Sequence, residues 1–366
     1  MKPCFAEIVK HFRFEGDFLE AQPYGSGHIN DTYLVRFREG DGTFQRYILQ
    51  WINHTVFKHP EQLMQNIARV TAHLRKKIVA DGGDPERETL NLIPTIDGNI
   101  LYKTPDGDHW RAYLFIAGAQ TYETVERLEH VYNVSKAFGK FQSLVSDIPA
   151  RQLCETIPDF HHTPKRFEAF VEAVARDAHN RARSVKAEIE FVEKRAKETS
   201  VLVDLFEQGK LPERITHNDT KFNNVMIDDE TAEGICVIDL DTVMPGLSLY
   251  DFGDSVRSGA NSGAEDERDL SKVGIALKLF DRLAHGYLDA ARDFLTPLEI
   301  DCLPFSAKLM TFECGMRFLT DHLNGDVYYK IHRANHNLDR CRTQFKMVQD
   351  MEEKFDQMER IVVRYR

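Results

Sequence analysis

The sequence predicts an α+β protein in two lobes, a small antiparallel-sheet lobe over residues 1–118 and a larger, mainly helical lobe over 119–366. Three observations carry that reading. Before residue 120, alternating β-branched and aromatic runs are separated by turn signals. After it, apolar residues recur at helical spacing. Between residues 215 and 246 short β runs return, interleaved with acidic and amide side chains.

In the first lobe, "GDFLEAQPYGSGHIND" leads into the run "TYLVRF", which is joined to "RYILQWI" through "REGDGTF". The turn contains Asp41 and Gly42, a hairpin signal because glycine supplies the positive φ that such turns need. Pro60 then stands near the start of a helix with Leu63, Ile67, Val70 and Leu74 on one face. Arg75, Lys76 and Lys77 follow at its C-terminal end, where the helix dipole favours cations. "GNILYKT" and "WRAYLFIAGA" form a second hairpin around "PDGDH", and residues 117–119 mark the joint between the lobes.

In the second lobe "LEHVYNVSKAFGKFQSLV" is a helix, and the segment from Thr163 to about Gly209 reads as two more. Thr163 is placed to cap and Pro164 suits the first turn. The charge-rich "KAEIEFVEKRAKE" presents a solvated face over Ile189, Val192 and Ala196. Helices are expected again at "SKVGIALKLFDRLAHGYLDAARDFL", "FSAKLMTFECGMRFLTDHL" and "TQFKMVQDMEEKFDQMERIV", with "SGANSGAEDERD" as a mobile loop.

Composition narrows the function. A chain of 366 residues exceeds one ordinary core, and 42% apolar with 29% charged residues is a folding composition. A net charge of -11 repels a phosphate backbone, so nucleic acid is not an expected partner. No run approaches the length of a membrane span and the N-terminus carries charges, so the chain reads as cytoplasmic, with no membrane partner. Six scattered cysteines read as free thiols. His332 and His336 stand four apart, but Arg333 occupies the place where a metalloprotease helix needs its glutamate, so zinc hydrolysis is not expected.

The chemistry is concentrated in "ITHNDTKFNNVMIDDETAEGICVIDLDTVMPG", residues 215–246. A short strand ends near His217, a polar loop follows, and "VMI" and "ICVI" form a hairpin ending at Asp239. A hairpin returns its second strand to the level where the first began, so Asp219, Asn224 and Asp239 should meet at one mouth. Phosphoryl transfer from ATP asks for little more: an aspartate to orient the acceptor hydroxyl and oxygen ligands for Mg²⁺. The pattern His-x-Asp-x-x-x-x-Asn, followed about twenty residues later by an Asp closing an apolar strand, is the layout of a protein-kinase-like centre. "DFG" itself, at Asp251, Phe252 and Gly253, is preceded by Pro245 and Gly246 rather than by a strand. Asp251 is therefore read as structural, capping the next helix or bracing the loop. The plainer readings of the stretch are an acidic surface hairpin or a calcium loop; an EF-hand-type loop would need helices at its flanks, where this one has strands.

"THNDTKFNNVMID", "ICVIDLDTVMPG" and "DFGDSVRSGA" resemble the aminoglycoside phosphotransferase and choline kinase superfamily, and within it most closely the N-acetylhexosamine 1-kinases. "YGSGHINDTY" and "RFLTDHLNGDVYYK" extend the resemblance over most of the chain. It implies a bilobal protein-kinase-like fold with ATP and Mg²⁺ as cofactors and a small-molecule sugar as substrate. It implies Asp219 as catalytic base, Asn224 and Asp239 as metal ligands, and Asp241 as an assisting group. Gly25, Ser26, Gly27, His28 and Asn30 would form the phosphate-covering loop, where glycines admit backbone N–H groups to the nucleotide. Arg317 and Tyr328 would contact the sugar or the transferred phosphate, although Arg317 could instead pair with Asp321, and His161 is a pocket-wall candidate. One departure stands out: Gln50 occupies the third strand where the superfamily commonly has a Lys or Arg on the α- and β-phosphates. Two rival readings are a kinase of another acceptor, such as an amino alcohol, homoserine or an aminoglycoside, and a pseudokinase without activity.

Overall fold

The computed structural model describes residues 4–25, 29–123 and 127–366. After a short helix α1 (Phe5–Ile8) come strands β1 (Asp17–Pro23), β2 (Asp31–Arg38) and β3 (Phe44–Ile52), helix α2 (Pro60–Ala80), and strands β4 (Tyr102–Lys103) and β5 (His109–Leu114). The strands form one antiparallel sheet in the order β1-β2-β3-β5-β4. Arg38 faces Phe44 across the expected turn, where Gly42 has φ +89°.

The two faces of this sheet do different things. Tyr47 and Leu49 pack with Val35, Trp110 and Phe12 in one apolar cluster. Alternate residues of β3 point the other way, so Ile52 joins Leu63, Ile67, Val70 and Leu74 of α2. Full burial of each such side chain is worth roughly 1.5–3 kcal/mol, which holds α2 against the sheet far more strongly than helix propensity could. Phe141, Ile215, Leu240 and Val243 from the second lobe enter the same cluster. The face of the sheet that carries Gln50 is thereby turned toward the stretch 215–246.

Strand β6 (Ala119–Gln120) leaves the first sheet and pairs antiparallel with the second lobe, Ala119 opposite Asp228. Helices α3 (Leu128–Val145), α4 (Thr163–Arg176), α5 (Lys186–Lys194) and α6 (Val201–Glu207) precede β7 (Arg214–Thr216), β8 (Val225–Asp228), β9 (Gly234–Val237) and β10 (Met244–Gly246). The chain ends in α7 (Ser248–Gly259), α8 (Leu277–Ala291), α9 (Pro297–Asp301), α10 (Leu303–Leu323), α11 (His336–Glu353) and α12 (Phe355–Val363). α3 and α8 approach closely at Gly139, where a Cβ would stand 2.6 Å from the Tyr287 carbonyl oxygen. Among the described residues no helix is long and apolar enough to cross a membrane.

Four local expectations are corrected. The segment from Thr163 to Gly209 makes three α-helices, not two. Its first cap is His162, whose side chain accepts the Lys165 N–H, while the Thr163 hydroxyl is drawn away to Glu313. The last expected helix is broken at Lys354, with φ -107° and ψ 10°, into α11 and α12. Within the 258–269 stretch the Ser262 N–H bonds the Gly274 carbonyl, and Asp266 meets Arg333 and His336. α11 begins only at His336, so His332 lies outside the helix and the two histidines share no helical face.

Candidate active site

The loop after β7 is built around a buried carboxylate. Asp251, in the first turn of α7, accepts the backbone N–H groups of His217 at 2.9 Å and Asn218 at 2.7 Å, and the Gln142 amide at 2.6 Å. Burial raises its carboxyl above the ordinary range against the opposing pull of these donors. Asp254, one turn on, takes the Thr220 N–H at 2.9 Å. Of the two structural roles open to Asp251 the structure shows bracing; α7 has no side-chain cap. Asn218 sits at φ +65°, a left-handed position that asparagine tolerates better than most residues. Its amide donates to the Thr242 carbonyl and accepts from the Thr216 hydroxyl. His217 ties the loop to the hairpin end, its Nε2 donating to the Ile238 carbonyl and its Nδ1 accepting the Asp219 N–H. His161 is no pocket wall: it is buried, with Nε2 on the Asn218 carbonyl and Nδ1 on Glu313.

On this base Asp219, Asn224 and Asp239 come together. Asn224 Nδ2 donates to the Asp219 carbonyl at 2.8 Å and to its carboxylate at 3.1 Å, which leaves the acceptor end of the amide, Oδ1, free of these two bonds. Val225 opposes Val237, and the Ile238 N–H bonds the Asn224 carbonyl, so Asp239 emerges beside Asn224. Asp239 is exposed, at φ +58°. Partial desolvation by its surroundings, with the Asp241 and Asp219 carboxylates beside it, pushes it up to about 6. Asp219 is half-buried and paired with Lys221 at 2.8 Å. Burial alone would raise its carboxyl, but the Lys221 ammonium more than offsets this and holds it below the ordinary range.

These oxygens suit a hard divalent cation, and the crowding of three carboxylates is the situation such a cation relieves. Among the described residues no group of three or more His, Cys, Asp or Glu side chains makes a closed metal cage. A cation held by one amide and one carboxylate would need further oxygen ligands from outside the chain, as Mg²⁺ commonly takes them from phosphates and water.

Asp241 occupies the seam of the lobes. It is buried and receives the Arg111 guanidinium and the Asn30 amide, both from the first lobe. Arg111 stands directly opposite Gln50 in the β3–β5 register and donates to its Oε1 at 3.0 Å. A cation does stand beside Gln50, on the neighbouring strand, but it is buried and engaged by Asp241. Sequence reasoning missed it, although an arginine two residues from Tyr113 in an otherwise apolar strand was the available signal. Asn30 Oδ1 also accepts the Asn53 N–H at 3.0 Å, so its side chain is occupied between two strands and Asp241. Gly25 has φ +76° and is open on all sides, while Ser26, Gly27 and His28 lie outside the described residues.

Arg317 does not pair with Asp321. That carboxylate is taken by the backbone N–H groups of Val327, Tyr328 and Tyr329 and by Asn337. Arg317 lies instead over the rings of Phe160 at 5.1 Å, Tyr329 at 5.8 Å and Tyr328 at 6.0 Å. Tyr328 is exposed. Phe160 adjoins His161, so this aromatic group is one residue removed from the contact that holds Asn218.

A sequence profile described as a phosphotransferase enzyme family matches residues 20–297, from β1 to the start of α9, and takes in the whole loop and hairpin. The chain belongs to that family. Solved structures share the phosphotransferase fold over nearly the full length. A microcompartment-associated aminopropanol kinase is 14% identical, with TM-score 0.58 over 97% of this chain and 98% of the other. A spectinomycin phosphotransferase in complex with ADP and spectinomycin is 14% identical, with TM-score 0.57 over 95% and 98%. A choline kinase from Cryptosporidium parvum is 15% identical, with TM-score 0.53 over 96% of each chain. At these identities the likeness establishes the phosphotransferase architecture.

Proposed function

We propose that this phosphotransferase is a cytoplasmic, ATP- and Mg²⁺-dependent kinase that phosphorylates the anomeric hydroxyl of N-acetylhexosamines to give the sugar 1-phosphate. The observation that carries the kinase reading is the meeting of Asp219 with Asn224 and Asp239 at one mouth. Asp219 orients the sugar 1-hydroxyl and takes its proton as the oxygen attacks the γ-phosphorus and the bond to the β-phosphate oxygen breaks. Asn224 Oδ1 and Asp239 would hold Mg²⁺, which neutralises charge on the β- and γ-phosphate oxygens. Residues 25–30 cover the phosphates from the first lobe. The ADP bound to the spectinomycin phosphotransferase supports a nucleotide donor for the shared fold.

The sugar assignment is supported by the wider sequence resemblance and by the surroundings of Arg317. Arg166 spends its donors on the Phe160 carbonyl, and Arg317 is free of ion pairs among the described residues. Two guanidinium groups that share a single buried carboxylate, Glu313, in electrostatic reach leave an excess of positive charge that disfavours a cationic acceptor such as an amino alcohol or aminoglycoside. Aromatic faces and guanidinium donors suit sugar C–H faces and hydroxyls. In this reading Arg317 and Tyr328 contact the sugar.

The test is ATP-dependent phosphorylation with Mg²⁺ across N-acetylglucosamine, N-acetylgalactosamine, free hexoses, choline, homoserine and an aminoglycoside, with phosphorus NMR of the product. A sugar 1-phosphate from the N-acetylated sugars is expected. Transfer only to another acceptor would keep the Asp219 mechanism and discard the sugar.

A further inference from the structure

We infer that Gln344, which has no part in the roles above, is a specificity-determining residue whose amide hydrogen-bonds a neutral hydroxyl or acetamido group of the acceptor. The inference rests on the reading of Asp219 as the base.

Gln344 lies on α11 and is only 1% exposed. Its Oε1 is enclosed and has no hydrogen-bond partner among the described residues. It lines a cavity of ≈ 120 Å³ together with Lys221, Arg257, Ser258, Asn261 and Glu265. The same Lys221 ammonium stands 2.8 Å from Asp219 Oδ1, so one lysine side chain connects the cavity wall to the proposed base. The other polar side chains around it already have partners. Arg257 is held by Asp254 at 2.7 Å and by Glu265 at 3.3 Å, and Asn261 Oδ1 accepts the Gly263 N–H at 3.0 Å. Gln344 alone among these is buried and unanswered.

A buried amide oxygen without a partner is a cost that folded proteins rarely leave standing, and a ligand is one way to settle it. The position is also built. A Cβ at Gly315 of α10 would fall 2.9 Å from Gln344 Cβ and 2.7 Å from Phe345 Cε1, so the absence of a side chain there lets α11 seat the glutamine against α10. A carboxamide carries no charge and offers both donor and acceptor ends, which it can exchange by rotation. It can therefore answer both ends of a neutral group with its own donor and acceptor, as a hydroxyl or acetamido group has, whereas an ammonium engages only its oxygen and a phosphate only its NH₂.

The test compares wild type with Gln344→Met, which keeps length without the amide, and Gln344→Asn, which keeps the amide but withdraws it by one methylene. Steady-state kinetics are measured separately against N-acetylglucosamine and against ATP, alongside thermal unfolding. Both variants are expected to raise KM for the sugar on the order of tenfold, with KM for ATP within about twofold and Gln344→Met at least as heat-stable as wild type, because an unpaired polar group has been removed. An unchanged sugar KM in a folded variant overturns the inference. So does a loss of heat stability in Gln344→Met with sugar KM unchanged in Gln344→Asn, since the amide would then serve packing alone. If wild type uses another acceptor from the panel, the sugar assignment fails on that result, and the same KM comparison with that acceptor decides for or against Gln344. If it transfers to none, the kinase reading and this inference fall together.

Discussion

Arg111 and Asp241 pair across the seam of the two lobes with side chains only 2% and 3% exposed. A buried pair of this kind adds little over a well-packed apolar pair, but stranding one partner is costly. Arg111→Met should therefore lower unfolding stability by about 3–5 kcal/mol, and the double variant Arg111→Met/Asp241→Leu should recover much of the loss. Urea denaturation of the two variants checks this. Equal loss in both would show that the guanidinium acts through packing alone.

Asp219→Asn keeps the size of the side chain and its Lys221 neighbour but removes the proposed base. A fall in kcat of about 10²–10⁴ is expected, with ATP affinity and melting temperature nearly unchanged. Substantial residual turnover would take the role of base away from Asp219.

Asp239 sets an acid limit. Its value of about 6 means that it is increasingly protonated below pH 6, and a protonated carboxyl is a poor metal ligand. At limiting Mg²⁺ the activity should fall on the acid side with a midpoint near 6, and added Mg²⁺ should move that midpoint down as metal competes with protons. A midpoint indifferent to Mg²⁺ would separate Asp239 from the metal.

The same shift has a consequence for stability. The folded-state value lies above the unfolded one, so ionising Asp239 costs the fold stability as pH rises from the ordinary carboxylate range through 6. Asp239→Asn removes that cost. Its melting temperature relative to wild type should therefore increase between pH 4 and pH 7; a constant difference would contradict the assignment.

Asp251→Asn replaces an acceptor by a group whose NH₂ end opposes either the Asn218 N–H or the His217 N–H together with the Gln142 amide. Because the displaced backbone is that of His217 and Asn218, kcat should fall together with stability, by roughly 1–3 kcal/mol for the latter. Loss of stability with unchanged kcat would show that Asp219 is positioned from elsewhere.

Much of this arrangement was legible in the chain. The first-lobe hairpin was readable from Asp41 and Gly42 between alternating strands, and the convergence of Asp219, Asn224 and Asp239 from hairpin geometry, because both are local. What escaped reading was set by distant contacts. Arg111 matters through a strand register and a carboxylate 130 positions away. His161 was read as a pocket wall because nothing near it in sequence reveals Glu313 or the Asn218 carbonyl. Arg317 invited pairing with Asp321 one turn on, but three consecutive backbone N–H groups from residues 327–329 had the stronger claim on that carboxylate. Gln344 carries no sequence signal at all; an orphaned amide oxygen is visible only once its neighbours are known.

The pairing of β6 with β8 fastens the joint between the lobes. Arg87 reaches the Ala117 and Gly118 carbonyls and the Asp228 carboxylate, and the Asp229 N–H takes the Gly118 carbonyl as well. Residues 117–119 are thus stitched to the second lobe on the strand that runs directly out of Asn224. The same guanidinium that closes this joint answers a carboxylate at the far end of β8, so the position of Asn224 is set from both ends of one four-residue strand.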